Sequence, residues 1–218
     1  CRPERAAMLE QLAELDPYYY CVFTLGRWGN RKVDDPFFYA FNQEKHVKAT
    51  QLNKAHEVYL SFDFNLSPMT CGVYQIYNNT LFGIQSIKLD NSDIYKMCDY
   101  IQVMYPGCMF IITGDASGRN TTALVKEGIH FYTVIKSQLN LSSNQLRVPT
   151  VNPPIHENRV LSNTVLHSYN CAFDPINCKD LIFDFKNVTV DELGKIDKGD
   201  RSNPKKRADH ADHYRYLC

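Results

Sequence analysis

Between residues 57 and 114 the chain alternates apolar and polar positions at the period of strands, then of a helix, then of a strand again. In EVYLSFDF (57–64), Val58, Leu60, Phe62 and Phe64 fall on one face and Tyr59, Ser61 and Asp63 on the other, because successive strand side chains point to opposite sides. TCGVYQIY (70–77) and LFGIQSIKL (81–89) continue as strands between turn-forming Asn, Ser, Pro and Thr, which predicts an antiparallel meander. Ser92 is placed to cap a helix with Ile94, Met97, Ile101 and Met104 or Tyr105 on one face, ended by Pro106 and Gly107. CMFIIT (108–113) is continuously apolar, as expected of a central strand covered on both faces, and the chain turns after it at Gly114. Two or three helices are predicted between residues 119 and 170. LIFDFKNV (181–188) reads as a late strand or hairpin, and a short helix from about Lys206 closes the chain.

The start of the chain has a different character. Met8, Leu9, Leu12 and Leu15 have helical spacing, and at Pro17 the pattern gives way to the aromatic stretch YYYCVFTLGRWG. A polar connection through Asp34, Asp35 and Pro36 leads to the first clear strand. The expected division is a segment 1–50 and a domain 51–218. With 218 residues, 44% hydrophobic and 22% charged, such a chain is expected to bury roughly 70% of its unfolded surface. No apolar run approaches the roughly 20 residues that cross a bilayer, and no signal-peptide pattern opens the chain, so a soluble, cytosolic protein without a membrane partner is expected.

Eight cysteines and five sequons, at Asn65, Asn78, Asn120, Asn140 and Asn187, raise a secreted disulfide scaffold. The cysteine density is well below the roughly 8–10% of such chains, and Cys71, Cys98 and Cys108 sit in apolar or helical runs where a buried thiol is expected. His167, Cys171, Cys178, His213 and Cys218 lack the C-x-x-C pairing that would argue for zinc. The formal net charge is zero, so any attraction for nucleic acid must be local. The best candidate holds Lys195, Lys198, Arg201, Lys205, Lys206 and Arg207, interrupted by Asp197 and Asp200; a solvated loop explains it equally well.

Three aspartates carry the candidate chemistry. Asp63 lies within a hydrophobic strand, where a carboxylate is costly unless paired with a basic side chain or bound to a cation. Asp115 follows an apolar strand in ITGDASG, at a strand end where α/β sheets present functional groups and where an Asp also caps helices. Asp209 and Asp212 share a face of the last helix, beside His210 and His213; an acidic helix start favours the macrodipole with no further role. Carboxylates from two strands and a terminal helix are the donor set of a two-metal phosphotransfer site, and oxygen ligands favour Mg²⁺ or Mn²⁺.

SFDFNLSP (61–68), ITGDASG (112–118), NPPIHENRV (152–160), CKDLIFDF (178–185), GKIDK (194–198) and DHADHYRY (209–216), in this order, resemble the nuclease domain of a tailed-bacteriophage terminase large subunit. The resemblance runs from about residue 57 to the end, and LGRWG resembles the exit from that family's ATPase domain. It implies an α/β, RNase H-like fold: a mixed central sheet, antiparallel meander plus parallel strands, flanked by helices. It also implies an endodeoxyribonuclease that cuts double-stranded phage DNA during packaging by two-metal-ion hydrolysis, with Asp63, Asp115 and Asp212 as catalytic metal ligands. His213 stands where the family often has a small residue, and Asp209 offers a competing carboxylate to the two Mg²⁺ or Mn²⁺ ions.

Around these, Asn65 is expected to orient Asp63, and Lys198, Lys205, Lys206 and Arg207 to hold the DNA backbone. His210 is placed to protonate the leaving oxygen, and Ser117 and Arg119 to contact phosphate or only shape the turn. The implied partners are an N-terminal ATPase domain, the portal and the small terminase subunit, in the host bacterial cytoplasm during virion assembly. With no G-x-x-x-x-G-K-[ST] loop, these residues are not expected to hydrolyse ATP. The alternatives are another RNase H-like nuclease of resolvase or transposase type, which the lack of a Glu in the second strand disfavours, and a non-catalytic DNA-binding domain.

Overall fold

The computed structural model describes residues 13, 20–27, 35–65, 67–120, 129–191, 195–198 and 207–218. The helix expected around Met8 to Leu15 therefore lies outside the described residues, apart from Ala13. After a short helix α1 (Gln43–His46), the chain forms β1 (Val58–Asp63), β2 (Met69–Tyr77) and β3 (Thr80–Leu89), paired antiparallel in succession as the alternation predicts. Asn78 and Asn79 make the two-residue β2–β3 turn with φ of 49° and 53°, the left-handed pair that such a hairpin needs and Asn tolerates.

Helix α2 (Ile94–Met104) follows. Its cap is Asp93, not Ser92: the extended backbone at Asp93 lets its carboxylate accept from the Lys96 amide at 2.9 Å. Met97 and Ile101 are fully buried, and each such side chain stabilises the packed state by about 1.5–3 kcal/mol. Strand β4 (Phe110–Gly114) then runs parallel to β1. Helices α3 (Phe131–Gln138) and α4 (Ile155–Ser168), strand β5 (Asn170–Phe173), and helices α5 (Lys179–Asn187) and α6 (Asp209–Leu217) complete the order. The sheet order is β4-β1-β2-β3-β5, with β5 parallel to β3. Four residues are too few for β5 to announce itself by periodicity.

Two expectations are corrected. LIFDFKNV is helical: Leu181, Ile182, Phe185 and Val188 are buried together, while Phe183, which strand alternation would group with Leu181 and Phe185, is 40% exposed. β4 is an edge strand rather than a central one. It reads as doubly covered because residues 145–147 run along its free edge, where Leu146 bridges Ile112 and the Arg147 amide donates to the Ile112 carbonyl at 2.8 Å.

Two cores flank the sheet. Val58, Leu60 and Phe62 pack with α2 and α3 on one side, while Phe173, Phe185 and Tyr214 pack with α4 on the other. Phe37 and Phe38, from the segment expected to lead into the domain, are buried in this second core. Cys71, Cys98, Cys171 and Cys178 are buried free thiols, and Cys108 is half-buried. No helix among the described residues is long and apolar enough to cross a membrane.

Candidate active site

The strand register lines up two polar rows across the face beneath α6. One row is Thr113, Ser61, Gly72 and Ser86, on β4, β1, β2 and β3 respectively. Two residues further along β1, Asp63 stands opposite Thr70, which stands opposite Lys88. On the β4 side, Asp63 and Asp115 each follow the last register pair, Phe62 and Gly114, and the Asp115 amide donates to the Phe62 carbonyl at 2.9 Å. Backbone pairing alone therefore places two carboxylates side by side at the end of neighbouring parallel strands.

Gly114 makes this turn possible. Its φ is +140°, and a Cβ there would lie 2.5 Å from the Phe62 carbonyl oxygen and 2.7 Å from its nitrogen. Asp115 then caps a 3₁₀ turn, Ala116–Arg119. Its Oδ1 accepts from the Ser117 amide at 2.8 Å and from Asn152 Nδ2 at 2.6 Å, and its Oδ2 from Ser117 Oγ at 2.5 Å. Arg119 turns away: its guanidinium donates to the Val148 carbonyl at 2.9 Å and lies over the Tyr132 ring. Of the two readings for this arginine, the geometry favours shaping the turn.

Asp63 is 4% exposed and accepts from Asn65 Nδ2 at 2.5 Å, the orienting contact expected of Asn65. Burial first, and then repulsion from Asp212, Asp115 and Asp209, push its pKa up to about 8 against the pull of Lys198. Asp212 carries the compensating cations. Lys198 Nζ lies on its Oδ2, and Arg215 Nε and a terminal guanidinium nitrogen both approach Oδ1 at 3.1 Å. Lys198, expected at the DNA backbone, is thus tied to a carboxylate of the site. Asp209 is also buried, its backbone carbonyl accepting from Thr70 Oγ1 at 2.9 Å. Among the three carboxylates felt by Asp63, Asp212 acts most strongly and Asp209 least.

His210 takes no part in this cluster. It is buried with its Nδ1 against Ser86 Oγ at 2.6 Å, and its charged neighbours are Asp180 and Lys88. Burial lowers its pKa to about 4, so near neutral pH it holds no proton to give to a leaving group. Arg207 is exposed beside a cavity shared with Lys88, Asp180 and Asp209. Lys205 and Lys206 lie outside the described residues.

Three contributors escape the sequence reading. Arg215 is three residues after Asp212, an ion-pair spacing visible in DHYRY. Asn152 precedes two prolines, and nothing local marks it as a partner of Asp115. Asp184, read as part of a strand, gives no sign that it caps another helix.

Among the described residues no three His, Cys, Asp or Glu side chains are already arranged to hold a metal ion. The donor set nonetheless fits hard divalent cations. It is all oxygen, Asp63 is a buried carboxylate whose charge its neighbours oppose, and Lys198 holds positive charge at Asp212.

No family model and no curated protein matches the chain. Solved structures do. The full-length large terminase of a thermophilic bacteriophage matches with a TM-score of 0.67 at 16% identity, over 96% of this chain and 50% of that one. The P22 large terminase nuclease domain matches with 0.55 at 11% identity, over 84% and 91%. The large terminase nuclease of thermophilic phage G20c, solved with bound cobalt, matches with 0.53 at 8% identity, over 85% and 97%. The class defined by the sheet and its flanking helices is α/β and RNase H-like. Within that class, the fold is that of the nuclease domain of phage large terminases. The chain spans about half the length of the first of these terminases.

Proposed function

We propose that this chain is a metal-dependent endonuclease that cuts double-stranded DNA during phage genome packaging. The observation that carries the reading is the convergence of Asp63, Asp115 and Asp212: two carboxylates aligned by parallel strand pairing, and a third held over them by α6. The likeness to terminase nuclease folds supports it.

In this reading Asp63, Asp115 and Asp212 would hold two divalent ions, Mg²⁺ or Mn²⁺, with Asp209 as a neighbouring carboxylate. When bound, such ions activate water and stabilise the leaving oxygen of a phosphodiester. Asn65 fixes the orientation of Asp63, Ser117 and Asn152 fix that of Asp115, and Arg215 that of Asp212. Lys198, half-exposed at the rim, is placed to exchange Asp212 for a DNA phosphate when cations arrive. The whole protein would carry an ATPase domain and work with the portal and small terminase subunit in the host cytoplasm.

Purified protein is expected to nick and linearise supercoiled plasmid in Mn²⁺ or Mg²⁺ and to stop on chelation. Asp63→Ala should lower the rate at least 100-fold, since the ligand shared by the site is lost. Undiminished cutting by Asp63→Ala, or an intact plasmid with both metals, would falsify the reading.

A further inference from the structure

Helix α6 rests on a chain of buried polar contacts that metal binding does not use. Tyr74 Oη meets His213 Nδ1 at 2.8 Å, His213 Nε2 meets Ser86 Oγ at 2.7 Å, and Ser86 Oγ meets His210 Nδ1 at 2.6 Å. His210 Nε2 then faces the Asp180 carboxylate across 3.9 Å. A carboxylate only accepts, so the direction of the chain follows from its end. His210 carries its proton on Nε2, Ser86 donates to His210, His213 donates to Ser86, and Tyr74 donates to His213. Both hydroxyls and every ring nitrogen in the chain then face a group of the complementary kind.

The surface beneath the helix otherwise offers little to index it. Between Thr113 and Ser86 the row is Ser61, whose buried Oγ has no hydrogen-bond partner among the described residues, and Gly72, which has no side chain. A Cβ at Gly72 would lie 2.4 Å from His213 Nδ1, so the histidine ring seats on bare backbone. Thr113 Oγ1 touches the Tyr216 carbonyl at 3.4 Å at one end of the helix, and Ser86 engages His210 and His213 at the other. Adjacent helical residues point roughly 100° apart, so the seating of His213 sets where Asp212 points.

We infer that the Tyr74–His213–Ser86–His210 chain fixes the rotation of α6, with Ser86 and His213 as positioning residues that hold Asp212 against Asp63. The inference rests on the nuclease reading and adds a determinant of its metal affinity. A hydrogen-bonded series has direction, which apolar packing lacks, and so selects one rotation among several that would bury the same surface.

The test is calorimetric Mn²⁺ binding beside plasmid cleavage. Ser86→Ala removes the central oxygen and Tyr74→Phe the terminal one, each with almost no change of volume. Both should weaken Mn²⁺ binding about 10-fold, as loss of supporting contacts to metal ligands typically does. The KM for Mn²⁺ in cleavage should rise in parallel, while kcat at saturating Mn²⁺ stays within about twofold of the parent. Ser86→Thr, which keeps a hydroxyl, should restore the affinity. Variants that melt earlier yet bind Mn²⁺ like the parent would overturn the inference, because the chain would then serve stability alone. If Ser86→Ala does not fold, Tyr74→Phe decides by the same criterion. A parent protein that neither binds Mn²⁺ nor cuts overturns the nuclease reading and this inference with it; a parent that does both, matched by Ser86→Ala, overturns the inference only.

Discussion

Asp184 on α5 accepts the backbone amide of His210, in the first turn of α6, at 2.9 Å, and the amide of Ala211 at the same distance. A carboxylate from one helix thus caps the next, taking the place of a side-chain cap that Ala208 cannot supply. Burial, with Asp209 and Asp212 nearby, pushes its pKa up to about 7 in spite of the two amides.

Removing this cap separates hydrogen bonding from charge. Asp184→Ala should cost about 1–2 kcal/mol and lower Tm by roughly 3–6 °C. Asp184→Asn keeps an acceptor for the amides and loses the repelled charge, so at pH 8 it should melt within about 2 °C of the parent or above it. Scanning calorimetry of both variants checks this; equal losses would show that the charge itself does the capping.

Two glycines should rank in a definite order. A Cβ at Gly72 meets the ring of Tyr74 at 2.3 Å and His213 at 2.4 Å, side chains that can shift. A Cβ at Gly114 meets the backbone of Phe62, which cannot, and φ there is +140°. Gly72→Ala is expected to cost about 1–3 kcal/mol. Gly114→Ala should cost more, and the order is read from urea midpoints.

In metal-free protein, stability should fall as pH rises from 6.5 to 8. Asp63 holds its proton to about pH 8 when folded and releases it near 3.8 when unfolded, so across this window the folded state binds the extra proton. His46 and His210, lowered to about 4, act below this range: their contribution is lost as pH falls from 6.5. The decline should be on the order of 1 kcal/mol and should shrink in Asp63→Asn. Melting curves in EDTA at pH 6.5 and 8 measure it, and a parent whose decline equals that of Asp63→Asn contradicts the assignment.

Lys198 neutralises Asp212 in the absence of cations. Lys198→Ala should therefore tighten Mn²⁺ binding a few-fold, because a competing ammonium is gone, while raising the KM for DNA. Weaker Mn²⁺ binding in this variant would mean that the lysine organises the site instead of competing for it.

Much of the fold is written in local pattern. The meander and the side on which Asp63 falls follow from a period of two in EVYLSFDF, and the close of ITGDASG follows from glycine's access to positive φ. Helix α5 reads as a strand because LIFDF satisfies both periods over five residues, and only burial against Phe38 and Tyr214 selects the helical one. The edge position of β4 is hidden because residues 145–147 cover it as a strand would.

The sequence by itself determined which segments pair and which carboxylates sit at strand ends, because those depend on steric preferences and periodicities that act over a few residues. Only the tertiary structure decided that Lys198 and Arg215 meet on Asp212, that Asp184 caps α6, and that His213 seats on Gly72. Apart from Arg215, these partners are between 14 and 141 residues away in the chain, and no local propensity encodes a contact closed by the folding of the sheet.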